Sequence, residues 1–106
     1  MPLIIHRIRL RAQTDPARFE DWVRHVDYAA CPELPSVLSF SVQRVSADPQ
    51  APFHYVEVVE VRSRVDFERD MGSEVFRGLA ADFGTMAEVV DEVVGDRVGS
   101  GYRAAC

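Results

Sequence analysis

The sequence has no lysine and no asparagine, all twelve basic residues are arginine, and isoleucine occurs only at positions 4, 5 and 8. That usage is what a GC-rich bacterial coding sequence produces. No apolar run approaches the roughly 18 residues that a membrane-spanning helix needs. The opening MPLIIHRIRLR places arginines where a secretory leader would need an unbroken apolar core, so a cytoplasmic protein is expected. Cysteine occurs only at 31 and 106, with no CxxC spacing, and both are read as free thiols. Three histidines, none spaced i, i+4, argue against a metal site built by the protein. The phosphate loop, GxGxxG, GxSxG, HExxH and EF-hand patterns are all absent, so no cofactor is expected.

What is present describes one globular domain spanning 1–106, because two independent cores would each fall below the size at which burial offsets chain entropy. Hydrophobic residues at 47% and charged residues at 27% are ordinary for such a domain. A net charge of −5 repels nucleic acid and anionic lipid, so neither is an expected partner.

Along the chain, residues 3–11 alternate as a half-buried strand with Ile4, His6, Ile8 and Leu10 on one face and Ile5, Arg7, Arg9 and Arg11 on the other. Thr14-Asp15-Pro16 then supplies a cap and a first-turn proline. Phe19, Trp22, Val23 and Val26 recur at helical spacing, predicting a helix over 16–28 that exits through Pro32 and Pro35. A strand follows at 37–45, with Leu38, Phe40 and Val42 on its apolar face. HYVEVVEVR at 54–62 is the strongest β signal and reads as a central strand. Residues 66–84 read as one short and one longer helix broken at Gly72-Ser73, and 88–94 as a last strand.

The order βαββαβ is that of an α+β, ferredoxin-like domain, in which an antiparallel sheet carries both helices on one face. The other face is left bare. A patch of that size predicts two sheets packed together as a dimeric α+β barrel, an isologous homodimer whose C-terminal tail could cross to the partner.

His6, flanked by Ile4 and Ile8, is the leading candidate for chemistry: an imidazole on the helix-facing side of a strand suits proton transfer, although a core histidine bonded to a carbonyl would look the same. His54, at the start of the third strand, is second, with a solvated rim position preferred for it. His25 sits on the flank of the first helix. Periodicity points Tyr28 outward, unless the helix ends by Asp27 and lets its hydroxyl turn over a pocket toward a developing oxyanion. Cys31 reads as a small buried hydrophobe. Trp22, Phe40, Phe76 and Phe83 are core residues that could also wall a pocket for a planar aromatic ligand. Arg7, Arg9 and Arg11 lie on the bare face, with Glu57 as a partner there.

The runs IIHRIRL, DPARFEDWVRHVDYAACPELPSV, SFSVQRV, PFHYVEVVEV and MAEVVDEVVGDRVGSGY resemble the RedY-like (HapK-like) family of small proteins encoded in prodiginine and bisindole pigment pathways. The resemblance covers nearly the whole chain. It implies a dimeric α+β barrel and a role on pyrrole or indole intermediates. A plant polyketide cyclase of this fold uses a first-strand histidine and a late first-helix tyrosine, which correspond to His6 and Tyr28. Its second His/Tyr pair has no counterpart, because residues 66–87 contain neither type. The expectation is a cofactor-free enzyme that cyclises or hydrolyses a small aromatic pigment precursor, with His6, Tyr28, His54 and His25 as proton carriers and Trp22, Phe40 and Phe76 binding the ring. A non-catalytic carrier, a cofactor-free monooxygenase and haem ligation by one histidine are the alternatives.

Overall fold

The computed structural model describes residues 1–105; Cys106, expected to be a free thiol, lies outside them. Four strands, β1 (Pro2–Leu10), β2 (Val37–Arg44), β3 (Tyr55–Val61) and β4 (Ala87–Asp96), form one antiparallel sheet in the order β2-β3-β1-β4. β3 is therefore central, as its β-branched run predicts. Between β1 and β2 the chain is helical through α1 (Pro16–Trp22), a π-helical turn (Val23–Asp27), α2 (Tyr28–Ala30) and a 3-10 turn (Cys31–Glu33). α3 (Arg64–Met71) and α4 (Glu74–Met86) lie between β3 and β4.

Local chemistry starts each helix. Asp15 accepts the Ala17 N–H ahead of Pro16, Ser63 accepts the Asp66 N–H and Ser73 accepts the Phe76 N–H. These caps satisfy donors that the first helical turn leaves unpaired. The Gly72-Ser73 break predicted between the last two helices is where α3 ends and α4 is capped.

One face of the sheet packs on the helices. Ile8, Leu10 and Tyr55 bury against Phe19, Val23 and Met86, while Ile4, Val59 and Val61 form a second cluster next to Phe67. Phe19 and Tyr55 pack as a tilted pair with ring centroids 4.8 Å apart. Fully burying side chains of this size contributes about 1.5–3 kcal/mol each. Tyr55 also donates its hydroxyl to Glu20, which is paired with Arg44 as well. The Arg44 hydrogen bond, then that of Tyr55, holds the Glu20 carboxyl down at about 2.

Two bulges correct the face assignments. The β1–β4 register slips between Arg7 and Ile8, so Glu92 stands opposite His6 while Val89 stands opposite Ile8 and Glu88 opposite Arg9. The extra residue turns Val89 toward the helices and leaves Glu88 on the outer face with Arg9, 3.6 Å away. The β2–β3 register slips between Val37 and Ser39, which takes Leu38 off the apolar face where alternation placed it. Arg11 lies past the end of β1, and its Nε donates to the carbonyl of Gly84 rather than joining a bare-face arginine row.

The first helical segment departs most from its pattern. Tyr28 N–H bonds to the carbonyl of Val23, five residues back, and this wider turn holds one residue more than an α turn. The helical frame shifts accordingly. Val26, predicted on the buried stripe, is 41% exposed, and Asp27 occupies the inward position instead.

Candidate active site

Between the sheet and the helices lies a cavity of about 270 Å³. Its walls are mostly apolar: Ile4 and Val59 from the sheet, Trp22 from α1, Phe40 from β2, Phe67 from α3, and Phe76 and Phe83 from α4. Trp22, Phe40 and Phe76, read from the sequence as ring-binding residues, thus line one space. Phe67 and Phe76 meet edge to face with centroids 6.0 Å apart. Indole Nε1–H of Trp22 donates to Asp82 at 3.3 Å.

The polar part of the wall is a charged row across three strands. His6 on β1 stands opposite Glu57 on β3 and Glu92 on β4. Its Nδ1–H donates to Glu57 Oε1 at 2.6 Å and its Nε2–H to Glu92 Oε2 at 2.7 Å. The bond to Glu57 is the largest influence on the ring, burial opposes it, and Glu92 reinforces it, lifting His6 from 6.5 to about 9. At neutral pH the ring is an imidazolium clamped between two carboxylates. Charge-assisted bonds of this length hold it in place and favour its protonated form. Neither nitrogen then has a lone pair to offer haem iron or another metal. Glu57, expected on the bare face beside the arginines, is on the helix face because it is in register with His6.

The wider helical turn brings Asp27 and, one α turn on, Cys31 to the same cavity. Asp27 makes no capping hydrogen bond. Burial, and then repulsion by Glu57, raise its carboxyl from 3.8 to about 7. Cys31 is half-buried, its thiol donates to the Asp27 carbonyl at 3.5 Å, and burial followed by the Asp27 charge pushes its pKa up, so it stays a thiol.

The other polar candidates lie elsewhere. Tyr28 stays helical and 37% exposed, outside the cavity, and its hydroxyl accepts the Val42 N–H on the edge of β2 at 2.9 Å. The inward turn that would have put it over the pocket required the helix to end by Asp27, and it continues to Glu33. His25 is exposed, its Nδ1–H donating to the carbonyl of Asp21 at 2.9 Å. His54 is only 6% exposed, not a solvated rim residue. Its Nδ1 accepts the Leu10 N–H at 3.0 Å and its Nε2–H donates to the Asp48 carbonyl at 3.0 Å, so both nitrogens tie the proline loop to the end of β1.

A second hollow of about 380 Å³ lies beside that loop, against Glu20, Arg44, His54 and Tyr55. All four polar side chains there are already bonded to protein partners, whereas the first cavity keeps an unengaged carboxyl. Sequence reasoning missed Asp27, Glu57 and Glu92. Only strand register could have found the two glutamates, and nothing in the periodicity marked Asp27, because an α-helical frame points Val26 inward.

Against known proteins, a family model described as REDY-like protein HapK matches residues 2–98. The crystal structure of HapK from Hahella chejuensis is 49% identical, with a TM-score of 0.94 over 99% of this chain and 100% of that one. SnoaB, a cofactor-independent oxygenase from Streptomyces nogalater, shares 14% identity and a TM-score of 0.72 over 93% of this chain and 94% of its own. A dimeric ferredoxin-like protein of unknown function from Thermobifida fusca shares 14% identity and a TM-score of 0.61 over 89% of this chain and 86% of its own. These last two are likenesses of fold alone. No curated protein matches the chain. No helix among the described residues is long and apolar enough to cross a membrane. By a family model spanning nearly its whole length and a solved relative at 49% identity, the chain belongs to the REDY-like HapK family.

Proposed function

We propose that this protein binds a small flat aromatic intermediate of bacterial secondary metabolism, of the pyrrole or indole class, between its sheet and helices, and carries out acid–base chemistry on it without a cofactor. The observation that carries this reading is the His6 row: a fixed imidazolium at the edge of a cavity walled by aromatic rings. Such a cation polarises a carbonyl or imine held against an apolar wall, where oriented charge acts more strongly than in bulk solvent. The aromatic walls hold the ring in one orientation, which favours a single outcome such as ring closure or hydrolysis. His6 is the electrophilic partner in this scheme. Its clamp makes it a poor base, and Tyr28, His25 and His54 take no part.

The same reading includes a homodimer formed through the outer sheet face, where Val93 of β4 is 54% exposed and Ile5, Val56 and Val58 are only partly covered. A large apolar surface left by a small domain favours self-association.

The test is incubation of the purified protein with unstable imine and aldehyde precursors of bisindole and prodiginine pigments, followed by mass spectrometry, beside a His6→Gln variant. A new product that depends on His6 is the expected result. Saturable binding with no product in the wild type would replace the enzyme by a carrier.

A further inference from the structure

Resting on that reading, we infer that Asp27 is the proton-accepting residue of the cavity and that, with His6, it gives the protein a keto–enol tautomerase activity toward aryl-substituted ketones and imines. The cavity's ionisable groups come from five elements: His6 from β1, Glu57 from β3, Glu92 from β4, Arg64 from α3, and Asp27 with Cys31 from the first helical segment. His6, Glu57 and Glu92 neutralise one another by direct contact. Arg64 is exposed. Cys31 remains a thiol. Asp27 alone among the carboxyls is engaged by no ion pair and no hydrogen bond among the described residues, its surroundings being burial and the like charge of Glu57.

A helix seldom turns an unpartnered carboxyl inward, because desolvating it is costly. Here the wider turn does so at the expense of Val26, whose apolar side chain is displaced to the surface. π-helical turns of this kind gather at functional sites. A carboxyl that titrates near neutrality is half ionised at working pH, which suits a group that both takes and returns a proton.

The step balances without a co-reactant. Asp27 carboxylate removes a proton from the carbon between ring and carbonyl. The C–H electron pair moves into a new C=C bond, and the C=O π pair moves to oxygen, which takes the Nε2 proton of the His6 imidazolium by replacing the exposed Glu92 carboxylate as its acceptor. The enol is released or returned to the ketone by the reverse transfers, and solvent exchange on Asp27 leaves a solvent hydrogen on carbon.

Phenylacetone is a suitable probe, because its benzylic protons exchange through the enol. Trp22, the only tryptophan, lines the cavity and reports occupancy by fluorescence. In D₂O near neutral pD, proton NMR should show the methylene signal disappearing faster with wild-type protein than in buffer, with an acidic limb near 7 in the rate. Asp27→Asn should cut the exchange rate about a hundredfold while leaving the fluorescence titration unchanged, and Asp27→Glu should recover part of it. A probe that binds but exchanges no faster than in buffer, or equally fast with Asp27→Asn, overturns the assignment and leaves the aromatic-ligand reading intact. A probe that gives no saturable Trp22 response overturns both. If Asp27→Asn no longer binds, the pH profile of Asp27→Glu decides: an acidic limb that does not move removes the residue from the proton step.

Discussion

Glu57 stands directly across the β1–β3 ladder from His6, and the 2.6 Å contact between Oε1 and Nδ1 keeps a strand histidine cationic at neutral pH. Positions paired on one face of a sheet project side by side, so the contact follows from register. Glu92 completes the row from the other side because the bulge falls beyond it, at Arg7/Ile8. This fixed pair, with the unengaged carboxyl of Asp27 beside it, sets the stability and the chemistry of the site in opposite directions.

The pH dependence of stability follows from three signs. Asp27 is raised from 3.8 to about 7, so the folded state binds more protons across that window and stability falls as pH rises through it. His6 is raised from 6.5 to about 9, so its contribution is full below 6.5 and is lost as pH rises through 9. Glu20, lowered from 4.5 to about 2, contributes fully above 4.5 and loses that contribution as pH falls through 2. Together they place maximum thermal stability on the acidic side of neutrality, between about pH 4 and 5. Calorimetric Tm values measured from pH 3 to 10 check this, and a maximum above pH 7 contradicts it.

Asp27→Asn should stabilise the protein. Above pH 7 the wild type carries a partly buried carboxylate repelled by Glu57, and the neutral amide removes that penalty. The gain is on the order of 1 kcal/mol at pH 8, a Tm rise of about 4–8 °C in a domain of this size. Little gain is expected at pH 4, where the wild-type carboxyl is already protonated. Thermal melts of the variant at the two pH values are sufficient; equal shifts at both would mean that packing, not charge, is responsible.

His54→Ala should separate structure from chemistry. It removes both the acceptor for Leu10 N–H and the donor to the Asp48 carbonyl in a buried position, costing about 2 kcal/mol. Urea unfolding should show that loss while the exchange reaction at the cavity is retained. Loss of exchange in a folded His54→Ala protein would return His54 to the site.

Glu20→Ala should be among the more damaging polar substitutions. It leaves the buried Tyr55 hydroxyl without its acceptor and releases Arg44, costing about 1–3 kcal/mol in chemical denaturation. Arg44→Ala alone should cost less, because that guanidinium is solvated and exposed pairs contribute little. A reversed order would mean that the ion pair outweighs the buried hydroxyl.

Ile5→Asp, placed at the middle of the outer face of β1, should convert the homodimer proposed above to a monomer in sedimentation velocity. The new carboxylate would be buried without a partner at the sheet-to-sheet contact, a cost of several kcal/mol. A wild type that sediments as a monomer removes the dimer, and a variant that stays dimeric moves the contact away from this face.

The strands, the helices and the side of β1 that carries His6 were all legible in the sequence, because alternation and 3.6-residue spacing record which side of an element meets the core. The break at Gly72-Ser73 was legible as well, whereas α3 begins at Arg64, capped by Ser63, two residues before the expected start. The aromatic wall was legible too, since Trp22, Phe40 and Phe76 sit at apolar positions of three separate elements. Tertiary structure decided the chemistry. Which acids meet His6 depends on strand order and on a bulge of one residue, neither of which leaves a mark in spacing, so Glu57 appeared to belong outside. The exchange of Val26 for Asp27 depends on one extra residue in a helical turn, a departure from the period by which the sequence is read. Periodic patterns specify elements and their faces, whereas the site is assembled from register and from breaks in the period, and those are settled only when the pieces pack.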